Sequence, residues 1–564
     1  MTTVLKFGSS VLPTERDVPG AVHEIYRWVR RGERVVAIVS AIGRTTDRLL
    51  AQAAERTPRP EANDLAAHLA WGEAEAVRLL VSALERVGVP CSALDPGVVG
   101  PWTEGDPLNA EPVGFDAGLV RRTLDRTPVV VLPGFVGRDA QGRTTLLGRG
   151  GSDLTAVFVA HRLKASRCRL LKDVDGIYTG DPNAGGSSPL RYRACHWDEA
   201  ASVGGRIVQR RAVEFARVHS VPFEVAAVGA TRSTGVGSLP SSTEPAMPTR
   251  APLRVGLLGL GVVGLGVYER LASRPDLFEV VRIAVRDPSR ARPVQRELLT
   301  TDPWSIVDER CDLVVEAIHG VHPAAAIISA ALDAGSDVVT ANKAVAAGAS
   351  AMLALAARAD RVLRCSACVG GSTPVIETVE RLAQTSPIRR LRGVLNTTSN
   401  YVAGEIARGA GFDDALRRAR DLGLAEEDAS DDLLGRDAAR KLAILARTAF
   451  ASELDLARIP CDVVDATTPR GLVPVASLER DGPDLCARVG LERLDAGDPL
   501  ARAAGTLNVI EVTLDDGTVH VVEGTGAGRW PTTESVIADC FDIARQRLEP
   551  SGRSAGIAPL PAHA

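Results

Sequence analysis

Short apolar runs and amphipathic stretches alternate along the first 230 residues of the chain. The runs at 35–40, 129–132 and 223–228 predict buried strands. Helical periodicity of the apolar positions predicts helices at 64–87 and 151–163. This alternation of strands and helices is typical of an α/β domain.

A stretch rich in Gly, Ser, Thr and Pro, residues 231–252, has no apolar period and predicts a linker. After it, a doubly wound parallel sheet is predicted over 253–385 from strands at 254–258, 280–285, 312–317, 337–341 and 361–369. Strands and long helices then indicate an α+β domain over 386–548, with helices at 415–422, 431–450 and 535–548. The Pro/Ala/Gly/Ser-rich tail, 549–564, predicts disorder.

Composition narrows the class of protein. The 564 residues are 45% apolar and 24% charged, with a net charge of -4, which offers no basic surface for nucleic acid or an anionic membrane. No apolar run reaches the roughly 18 residues of a membrane span, and the N-terminus lacks a signal-peptide pattern. Nine scattered cysteines predict reduced thiols in the cytoplasm. Cys365 and Cys368 form a lone CxxC on a predicted buried strand, and no metal site is predicted.

A glycine-rich turn follows the first strand of the second half. Gly259, Gly261 and Gly264 fit G-x-G-x-x-G, and Val262 and Val263 open the next helix. A strand, a tight glycine turn and a helix N-terminus together seat the pyrophosphate of a dinucleotide. The sequence therefore predicts a nicotinamide-dinucleotide site here.

The end of the second strand of this half bears on the choice of dinucleotide. Arg286 comes first, Asp287 follows, and Arg290 and Arg292 lie close behind. Arginines favour the 2′-phosphate of NADP, whereas an acid favours the free 2′-hydroxyl of NAD. NADP is predicted, Asp287 keeps NAD open, and a solvated loop is the alternative interpretation of the arginines.

Three glycine-containing loops follow predicted strands of the first half, at 6–10, 40–47 and 147–156. Small residues let backbone N–H groups approach phosphate oxygens, and a nearby lysine neutralises a transferred phosphoryl group. None matches GxxxxGK[ST], which excludes a P-loop kinase. Each loop alone is more often a structural turn.

Together with the stretch KDVDGIYTGDP at 172–182, these loops resemble the amino acid kinase family, and aspartate kinase within it, over residues 3–230. The resemblance implies that Lys6 contacts phosphates and that Arg149 and Asp153 hold the amino acid. It implies that Glu73 orients the site. It also implies ATP, Mg²⁺ and a nucleotide-binding set made of Lys6, Gly8, Ser9, Ser10, Asp173, Asp175, Tyr178 and Asp181.

Several positions depart from the kinase pattern. One glycine and one hydroxyl of GGTS are lost at residues 8–11, Ala76 replaces a serine, and Lys172 replaces a threonine or serine. These losses leave open a catalytically silent or ligand-sensing domain. The gap before the second half has no room for ACT regulatory domains, so feedback inhibition through them is not expected.

Six ordered segments between residues 253 and 548 resemble homoserine dehydrogenase: 340–343, 369–374, 393–401, 423–428, 432–443 and 524–532. Asp437 and Lys441 are four residues apart, on one face of a predicted helix. Alone, such a pair is usually a surface ion pair. With Glu426 and Asp432 it forms a cluster that suits a zwitterionic amino acid, in which a lysine transfers a proton at the reacting oxygen.

By this resemblance Lys441 is the acid–base group and Lys343 lies where nicotinamide meets substrate. Glu426, Asp432 and Asp437 bind substrate, and Thr398 supports the site. Further cofactor contacts are implied for Thr340, Asn342 and Gly526. Ser366 stands where the family often has a cation-binding glutamate, and Thr397 replaces a glycine.

These resemblances imply a fused aspartate kinase and homoserine dehydrogenase without ACT domains. The expected small-molecule substrates are aspartate, aspartate semialdehyde and homoserine, in threonine and methionine biosynthesis. A homodimer or homotetramer is expected, with no nucleic-acid or membrane partner. The fold expected is a three-layer α/β/α kinase domain, then a Rossmann domain and an α+β catalytic and dimerisation domain. A dehydrogenase with a silent kinase-like domain is the alternative.

Overall fold

The structure, a computed structural model, describes residues 1–56, 59–180, 189–203, 207–245, 250–482, 484–526 and 528–548. Its contacts separate two units, one up to Thr249 and one from Arg250 to Glu549. The predicted tail at 549–564 and the predicted site residue Asp181 lie outside the described residues.

The strands of the first unit are β1 (Thr2–Phe7), β2 (Arg34–Val39), β3 (Cys91–Ala93), β4 (Trp102–Glu104), β5 (Glu111–Gly114), β6 (Val129–Pro133), β7 (Val136–Arg138), β8 (Thr144–Leu146), β9 (Arg167–Lys172), β10 (Arg191–His196), β11 (Phe223–Ala227), β12 (Thr234–Gly237) and β13 (Ser242–Glu244). Its helices are α1 (Val18–Arg30), α2 (Thr45–Arg56), α3 (Ala62–Leu69), α4 (Trp71–Arg86), α5 (Pro96–Val99), α6 (Ala117–Arg126), α7 (Gly151–Leu163), α8 (Trp197–Val203) and α9 (Arg210–Val218).

Nine of these strands form one sheet in the order β13-β10-β12-β11-β9-β1-β2-β6-β3, and β5-β4-β7-β8 form a smaller one. Strands β9, β1, β2 and β6 run parallel, as buried apolar runs joined by helices predict. Helix α7 packs on the face where Val4, Val36 and Leu170 point. Helices α1 and α4 pack against each other and against β2, which completes a three-layer α/β/α domain.

The predicted linker at 231–252 is corrected by the structure. Strands β12 and β13 lie inside it, and Thr234 and Val236 are fully buried. Strand β12 is inserted between β10 and β11, where backbone pairing supplies its hydrogen bonds. A four-residue strand with one large apolar residue is too short to show a period in the sequence.

The strands of the second unit are β14 (Leu253–Leu258), β15 (Phe278–Ala284), β16 (Leu299–Thr300), β17 (Leu313–Glu316), β18 (Asp337–Thr340), β19 (Leu363–Arg364), β20 (Ile388–Val394), β21 (Val473–Asp481), β22 (Asp484–Glu492), β23 (Leu507–Leu514) and β24 (Val519–Thr525). Its helices are α10 (Val262–Ala272), α11 (Ser305–Asp308), α12 (Ala324–Asp333), α13 (Lys343–Ala347), α14 (Ser350–Arg358), α15 (Val375–Ala383), α16 (Thr397–Ala407), α17 (Phe412–Asp421), α18 (Ser430–Leu433), α19 (Arg436–Phe450) and α20 (Arg529–Leu548).

Six strands form a parallel sheet in the order β16-β15-β14-β17-β18-β19, which confirms the doubly wound Rossmann prediction. Strands β22-β21-β20-β23-β24 form a separate antiparallel sheet, covered by α15 and α19. Helix α20 belongs by sequence to the second domain, yet Val536 and Phe541 pack with Leu257 and Val267 beneath the parallel sheet. Helix α20 therefore packs as part of the Rossmann layer.

Two local predictions in this unit are wrong. The strand predicted at 361–369 is only two residues long and gives way to a 3-10 turn, Ser366–Cys368, so the CxxC pair lies in a turn. The helix predicted at 431–450 is broken at Gly435, whose φ of 72° lies in the left-handed region that glycine adopts without strain.

Candidate active sites

The carboxyl ends of β1 and β9 bring two lysines to one carboxylate. Lys6 is in register with Leu170, so Lys172, two residues later on β9, extends from the same face of the sheet. Helix α7 covers that face and presents Asp153 in its first turn. Lys6 Nζ lies 2.8 Å from Asp153 Oδ1. Lys172 Nζ donates to Oδ2 at 2.8 Å and to Oδ1 at 3.1 Å.

Burial and charge act against each other in this cluster. Lys6, Asp153 and Lys172 are 6%, 2% and 9% exposed. Burial raises the pKa of Asp153, but the two ammonium groups outweigh it and hold that pKa below its ordinary value. Burial, followed by repulsion from Lys6, lowers the pKa of Lys172 to about 8 despite the attraction of Asp153. Asp153 is therefore an anion held between two cations.

Glu73, in the first turn of α4, is a second buried carboxyl of this unit. Its Oε1 accepts a hydrogen bond from the backbone N–H of Ala41 at 3.2 Å, in the loop after β2. Its Oε2 is buried and has no hydrogen-bond partner among the described residues. Burial raises the pKa of Glu73 to about 7. The group is poised between its acid and its ionised form near neutral pH.

Of the other residues predicted for the first unit, one lies beside Lys6 and most of the rest are exposed. A Cβ on Gly8 would lie 2.4 Å from Lys6 Nζ, so a larger residue there would displace the ammonium group. Ser9, Ser10 and Arg149 are exposed, and Arg149 has no ion-pair partner within the described part of the chain. Asp173 is also exposed. The Asp175 carboxylate accepts a hydrogen bond from the Tyr178 hydroxyl at 2.6 Å.

The glycine turn of the second unit forms an open cradle at the end of β14. Gly259 has a φ of 97°, and a Cβ there would lie 2.7 Å from the Ala317 oxygen. Gly261 caps α10 without a side chain, and a Cβ on it would meet nothing within 4 Å. Gly264 lets α10 approach the turn closely. Val262 and Val263 are the first helical residues, and the N–H groups at this helix start have no side-chain cap. This geometry fits a dinucleotide pyrophosphate.

Of the three arginines in the loop after β15, one binds the loop backbone and two are exposed. Asp287 Oδ1 accepts from both the backbone N–H and the hydroxyl of Ser289, at 2.8 and 2.6 Å. Arg292 donates to the Asp287 backbone oxygen at 2.7 Å, so it stabilises the loop. Arg286 and Arg290 are exposed, and neither side chain forms an ion pair among the described residues.

Asn342 fixes the loop that follows β18. Its Oδ1 accepts from the N–H groups of Ala344 and Val345 at 3.1 and 3.3 Å, which caps α13. Its Nδ2 donates to the backbone oxygens of Gly320 and Ile318 at 2.7 and 3.1 Å. The side chain therefore joins two loops at the carboxyl edge of the parallel sheet, where open α/β sheets form their ligand-binding crevices.

Glu316, which ends β17, is a fully buried carboxyl that the sequence prediction missed. It accepts hydrogen bonds from the Thr340 hydroxyl at 2.5 Å and from the Ile318 N–H at 2.8 Å. Asn342 Nδ2 lies 3.4 Å away. Burial raises the pKa of Glu316. An acidic residue at the end of an otherwise apolar strand was the available signal.

Asp437 joins two lysines from different parts of the second unit. Lys343 Nζ, at the start of α13, donates to Oδ1 at 2.5 Å. Lys441 Nζ, one turn along α19, lies 2.7 Å from Oδ2 and donates to the Leu395 backbone oxygen at 2.5 Å. Asp437 and Lys441 are 4% and 6% exposed, while the side chain of Lys343 is 43% exposed. The surface-ion-pair alternative is thus excluded for this pair.

The pKa values of Lys343 and Lys441 shift in opposite directions. Burial lowers the pKa of Lys441, and Asp437 only partly offsets it. Burial also acts on Lys343, but there Asp437 outweighs it and raises the pKa. The same two ammonium groups keep the pKa of Asp437 well below its ordinary value despite burial. Lys441 is therefore the better proton donor of the two.

Asn396 completes this cluster and was also missed as a site residue. Its Nδ2 donates to Asp432 Oδ1 at 2.6 Å and to Asp437 Oδ2 at 2.9 Å. Its Oδ1 accepts from the Ser399 N–H at 2.9 Å and so caps α16. Thr398, in the same turn, donates to the Leu424 backbone oxygen at 2.6 Å. These bonds hold the segment before Glu426 against α16.

Two predicted residues stand outside the cluster. Glu426 is exposed and forms no hydrogen bond or ion pair with any described residue. Gly526 lies against Gly371, and a Cβ on Gly526 would lie 1.7 Å from Asn508 Nδ2. Both amide atoms of Asn508 are buried without a hydrogen-bond partner among the described residues.

Comparison with known proteins matches three family models. They are the amino acid kinase family over residues 1–226, the homoserine dehydrogenase NAD-binding domain over 259–364 and homoserine dehydrogenase over 374–541. The chain is 33% identical over 342 residues to a homoserine dehydrogenase of Corynebacterium glutamicum, covering 56% of this chain and 77% of that protein. The chain belongs to the homoserine dehydrogenase family.

Other relatives support both halves of this homoserine dehydrogenase family member. A homoserine dehydrogenase of Bacillus subtilis is 31% identical over 328 residues, which cover 54% of this chain and 75% of that protein. An aspartokinase of Geobacillus stearothermophilus is 34% identical over 225 residues, which cover 39% of this chain. The match spans 55% of that aspartokinase. The chain thus joins an amino acid kinase domain to a homoserine dehydrogenase.

Proposed function

We propose that the second unit interconverts aspartate 4-semialdehyde and homoserine with a nicotinamide dinucleotide. The observation that carries this proposal is the buried Asp437 carboxylate bound by Lys343 and Lys441. In this arrangement Lys441, whose pKa is lowered, is held in one orientation by the Asp437 carboxylate. Such an ammonium suits proton transfer to a carbonyl oxygen that becomes an alkoxide.

Lys441 has one N–H left for the substrate. An ammonium group has three donors, and Asp437 and Leu395 take two of them. The third donates to the aldehyde oxygen and gives up its proton as the carbonyl carbon is reduced. In the reverse direction the neutral amine removes the hydroxyl proton of homoserine. Lys343 holds Asp437 ionised and marks the side where the nicotinamide enters.

Carboxylates around this lysine bind the amino group of the substrate. Asp432 is half-buried and receives one hydrogen bond from Asn396, which leaves its second oxygen for an ammonium. Glu426 has no hydrogen-bond or ion-pair partner among the described residues, and it follows Leu424, whose backbone oxygen accepts a hydrogen bond from Thr398. We assign Asp432 and Glu426 to the substrate ammonium, and Thr398 to the support of Glu426.

We assign the dinucleotide to the open cradle at Gly259–Gly264, with Arg286 at its ribose end. When bound, the nicotinamide ring accepts or supplies the hydride. Asp287 is engaged by Ser289 while Arg286 is exposed, which supports NADP over NAD. Thr340, Asn342, Lys343 and Gly526 line the nicotinamide end in this proposal.

We propose that the first unit phosphorylates the side-chain carboxylate of aspartate with ATP. Lys6 and the Gly8–Ser10 loop bind phosphates, Arg149 and Glu73 bind aspartate, and Asp173, Asp175 and Tyr178 lie toward the nucleotide. Among the described residues no cluster of three or more His, Cys, Asp or Glu could hold a metal ion. We therefore assign Mg²⁺ to the nucleotide phosphates, where it would offset their charge.

We propose that the protein acts in the cytoplasm as a homodimer or homotetramer. The nine cysteines are free thiols, which fits a reducing compartment. No described helix combines the length and the apolar character that a membrane crossing requires. Light scattering after gel filtration tests the assembly state.

Two assays on the full chain test the two activities separately. The first follows NADPH oxidation with aspartate semialdehyde, and the second follows aspartyl hydroxamate formation with ATP, Mg²⁺ and aspartate. We expect both in the wild type. Dehydrogenase turnover without hydroxamate would mean that the first unit is catalytically silent, and no semialdehyde-dependent oxidation would refute the dehydrogenase proposal.

A further inference from the structure

Lys172 occupies a position that the kinase resemblance gives to a threonine or serine. It is the last residue of β9, and its ammonium contacts both oxygens of Asp153. The two lysines come from β1 and β9, whose register aligns them, and Asp153 comes from α7, which packs on the same face of the sheet. The lost hydroxyl is thus replaced by a charge at the centre of the cluster.

The use of lysine in this chain is restricted. Only five of its 66 Lys and Arg residues are lysine. Four of the five, Lys6, Lys172, Lys343 and Lys441, bind a carboxylate in the two candidate sites. The fifth, Lys164, is exposed after α7. Arginine thus serves almost wherever a cation alone suffices, and lysine stands where a compact ammonium with an adjustable pKa is needed.

The cluster holds more positive than negative charge. Lys6 and Lys172 are two buried cations, and within the described part of the chain Asp153 is the anion that contacts them. A buried ammonium without a matching anion is unfavourable, because burial removes its hydration. One lysine would have sufficed to pair with Asp153. The second lysine gives the cluster a net positive charge, which indicates an anionic ligand.

Hydrogen-bond donors remain for such a ligand. Lys172 Nζ gives two of its three N–H groups to Asp153 and has no other partner among the described residues. Lys6 Nζ contacts Asp153 Oδ1, its one hydrogen-bonding partner in the ranges that the structure describes, and lies close to Gly8. Asp153 lies in the first turn of α7, whose N-terminus favours negative charge. Three N–H groups of the two lysines therefore have no acceptor among the described residues, a number that matches the three oxygens of a phosphoryl group.

We propose that Lys172 is a second phosphoryl-binding lysine of the kinase site, one that contacts the transferred group together with Lys6. This inference rests on the proposed kinase activity. In the transfer, an aspartate side-chain oxygen forms a bond to the γ-phosphorus, and the bond from that phosphorus to the bridging oxygen breaks. The electron pair leaves with ADP, and no proton moves. Lys172 stabilises negative charge on the phosphoryl oxygens, while Asp153 positions both ammonium groups.

Substitution of Lys172 in the full chain tests this role. Lys172→Met removes the charge, and Lys172→Thr restores the hydroxyl expected from the family. We expect both to lower kcat for hydroxamate formation roughly 100-fold, as loss of one donor to developing charge does. The KM for aspartate should change less than about threefold, since Lys172 acts on the phosphoryl group. Lys164→Met, which removes the exposed lysine, should leave kcat unchanged, and NADPH oxidation should persist in all three.

Nucleotide binding separates this inference from the kinase proposal. Calorimetry compares ADP with the imido analogue of ATP, which carries the γ-phosphoryl group. We expect Lys172→Met to weaken the analogue about tenfold while ADP affinity stays within about threefold. A wild type that forms no hydroxamate would refute the kinase activity, yet this selective loss would still support phosphoryl binding by Lys172. Equal affinities in wild type and variant, or a kcat of Lys172→Thr within about threefold of wild type, would overturn the inference.

Discussion

Lys441 lies one helical turn after Asp437 on α19, and its ammonium is 2.7 Å from Asp437 Oδ2. Both side chains are buried, and the lysine has a lowered pKa because burial outweighs the attraction of the acid. An exposed i, i+4 pair would leave the lysine near its ordinary pKa and free to rotate. Here the same spacing produces an oriented ammonium that releases its proton more readily.

Replacement of Lys441 by methionine should remove the proton donor while it keeps the length of the buried side chain. We expect semialdehyde-dependent NADPH oxidation to fall by roughly 10²- to 10⁴-fold in kcat, the usual contribution of a positioned acid. Hydroxamate formation by the first unit should be unaffected, because the substitution lies in the second unit.

Arg440→Met is the matched control for that variant. Arg440 precedes Lys441 on α19 but pairs with Asp431, at 2.6 Å, away from Asp437. Its loss should leave kcat within about threefold of wild type. Equal losses in the two variants would show that α19 tolerates no substitution and that Lys441 has no special role.

Asp437→Asn should change the pH dependence of aldehyde reduction. Reduction requires Lys441 as ammonium, so the rate falls as pH rises through the pKa of that lysine. The negative charge of Asp437 raises this pKa against burial, and its removal lowers it further. We expect the alkaline limb of kcat to move to lower pH by roughly 1–3 units. A limb at the wild-type position would mean that Asp437 does not control Lys441.

The sequence predicted well those helices and strands whose burial produces a regular spacing of apolar residues along the chain. The bounds of α7 agree, and β14 and β17 differ by only a residue or two, because each has one or two faces against a core. The short strands β12 and β13 have no such signature. Their position depends on pairing with β10 and β11, which the sequence alone does not specify.

The candidate sites were predictable only in part, for a similar reason. Asp437 and Lys441 share one helix, so their spacing showed the contact. The contact of Lys172 with Asp153 has no such local spacing, because it depends on strand register and on the position of α7. Glu316 and Asn396 act through hydrogen bonds to residues 24 to 41 positions away, and no local pattern encodes these.

Arg286→Ala should distinguish NADP from NAD. Arg286 is exposed beside the cradle, so its loss should leave the fold intact and remove a contact to the 2′-phosphate. We expect the KM for NADPH to rise roughly tenfold, equivalent to about 1.4 kcal/mol, with no change for NADH. Arg292→Ala, which alters a loop-stabilising arginine, should affect both cofactors alike. A similar change for both with Arg286→Ala would refute the assignment of that residue.

Glu73 should make the stability of the first unit depend on pH. Its pKa is raised from 4.5 to about 7, because burial disfavours the carboxylate and Oε2 has no partner among the described residues. A raised pKa means that its contribution to stability is complete below pH 4.5 and is lost as pH rises through about 7. The shift of this pKa between the unfolded and the folded protein corresponds to about 3 kcal/mol of stability.

Glu73→Gln keeps the shape of the neutral acid and does not ionise. Urea unfolding of both proteins at pH 5 and pH 8 should show the variant gaining about 2.5 kcal/mol on the wild type over that interval, because part of the loss has already occurred at pH 5. Parallel pH dependences would show that Glu73 is not protonated in the folded protein at neutral pH.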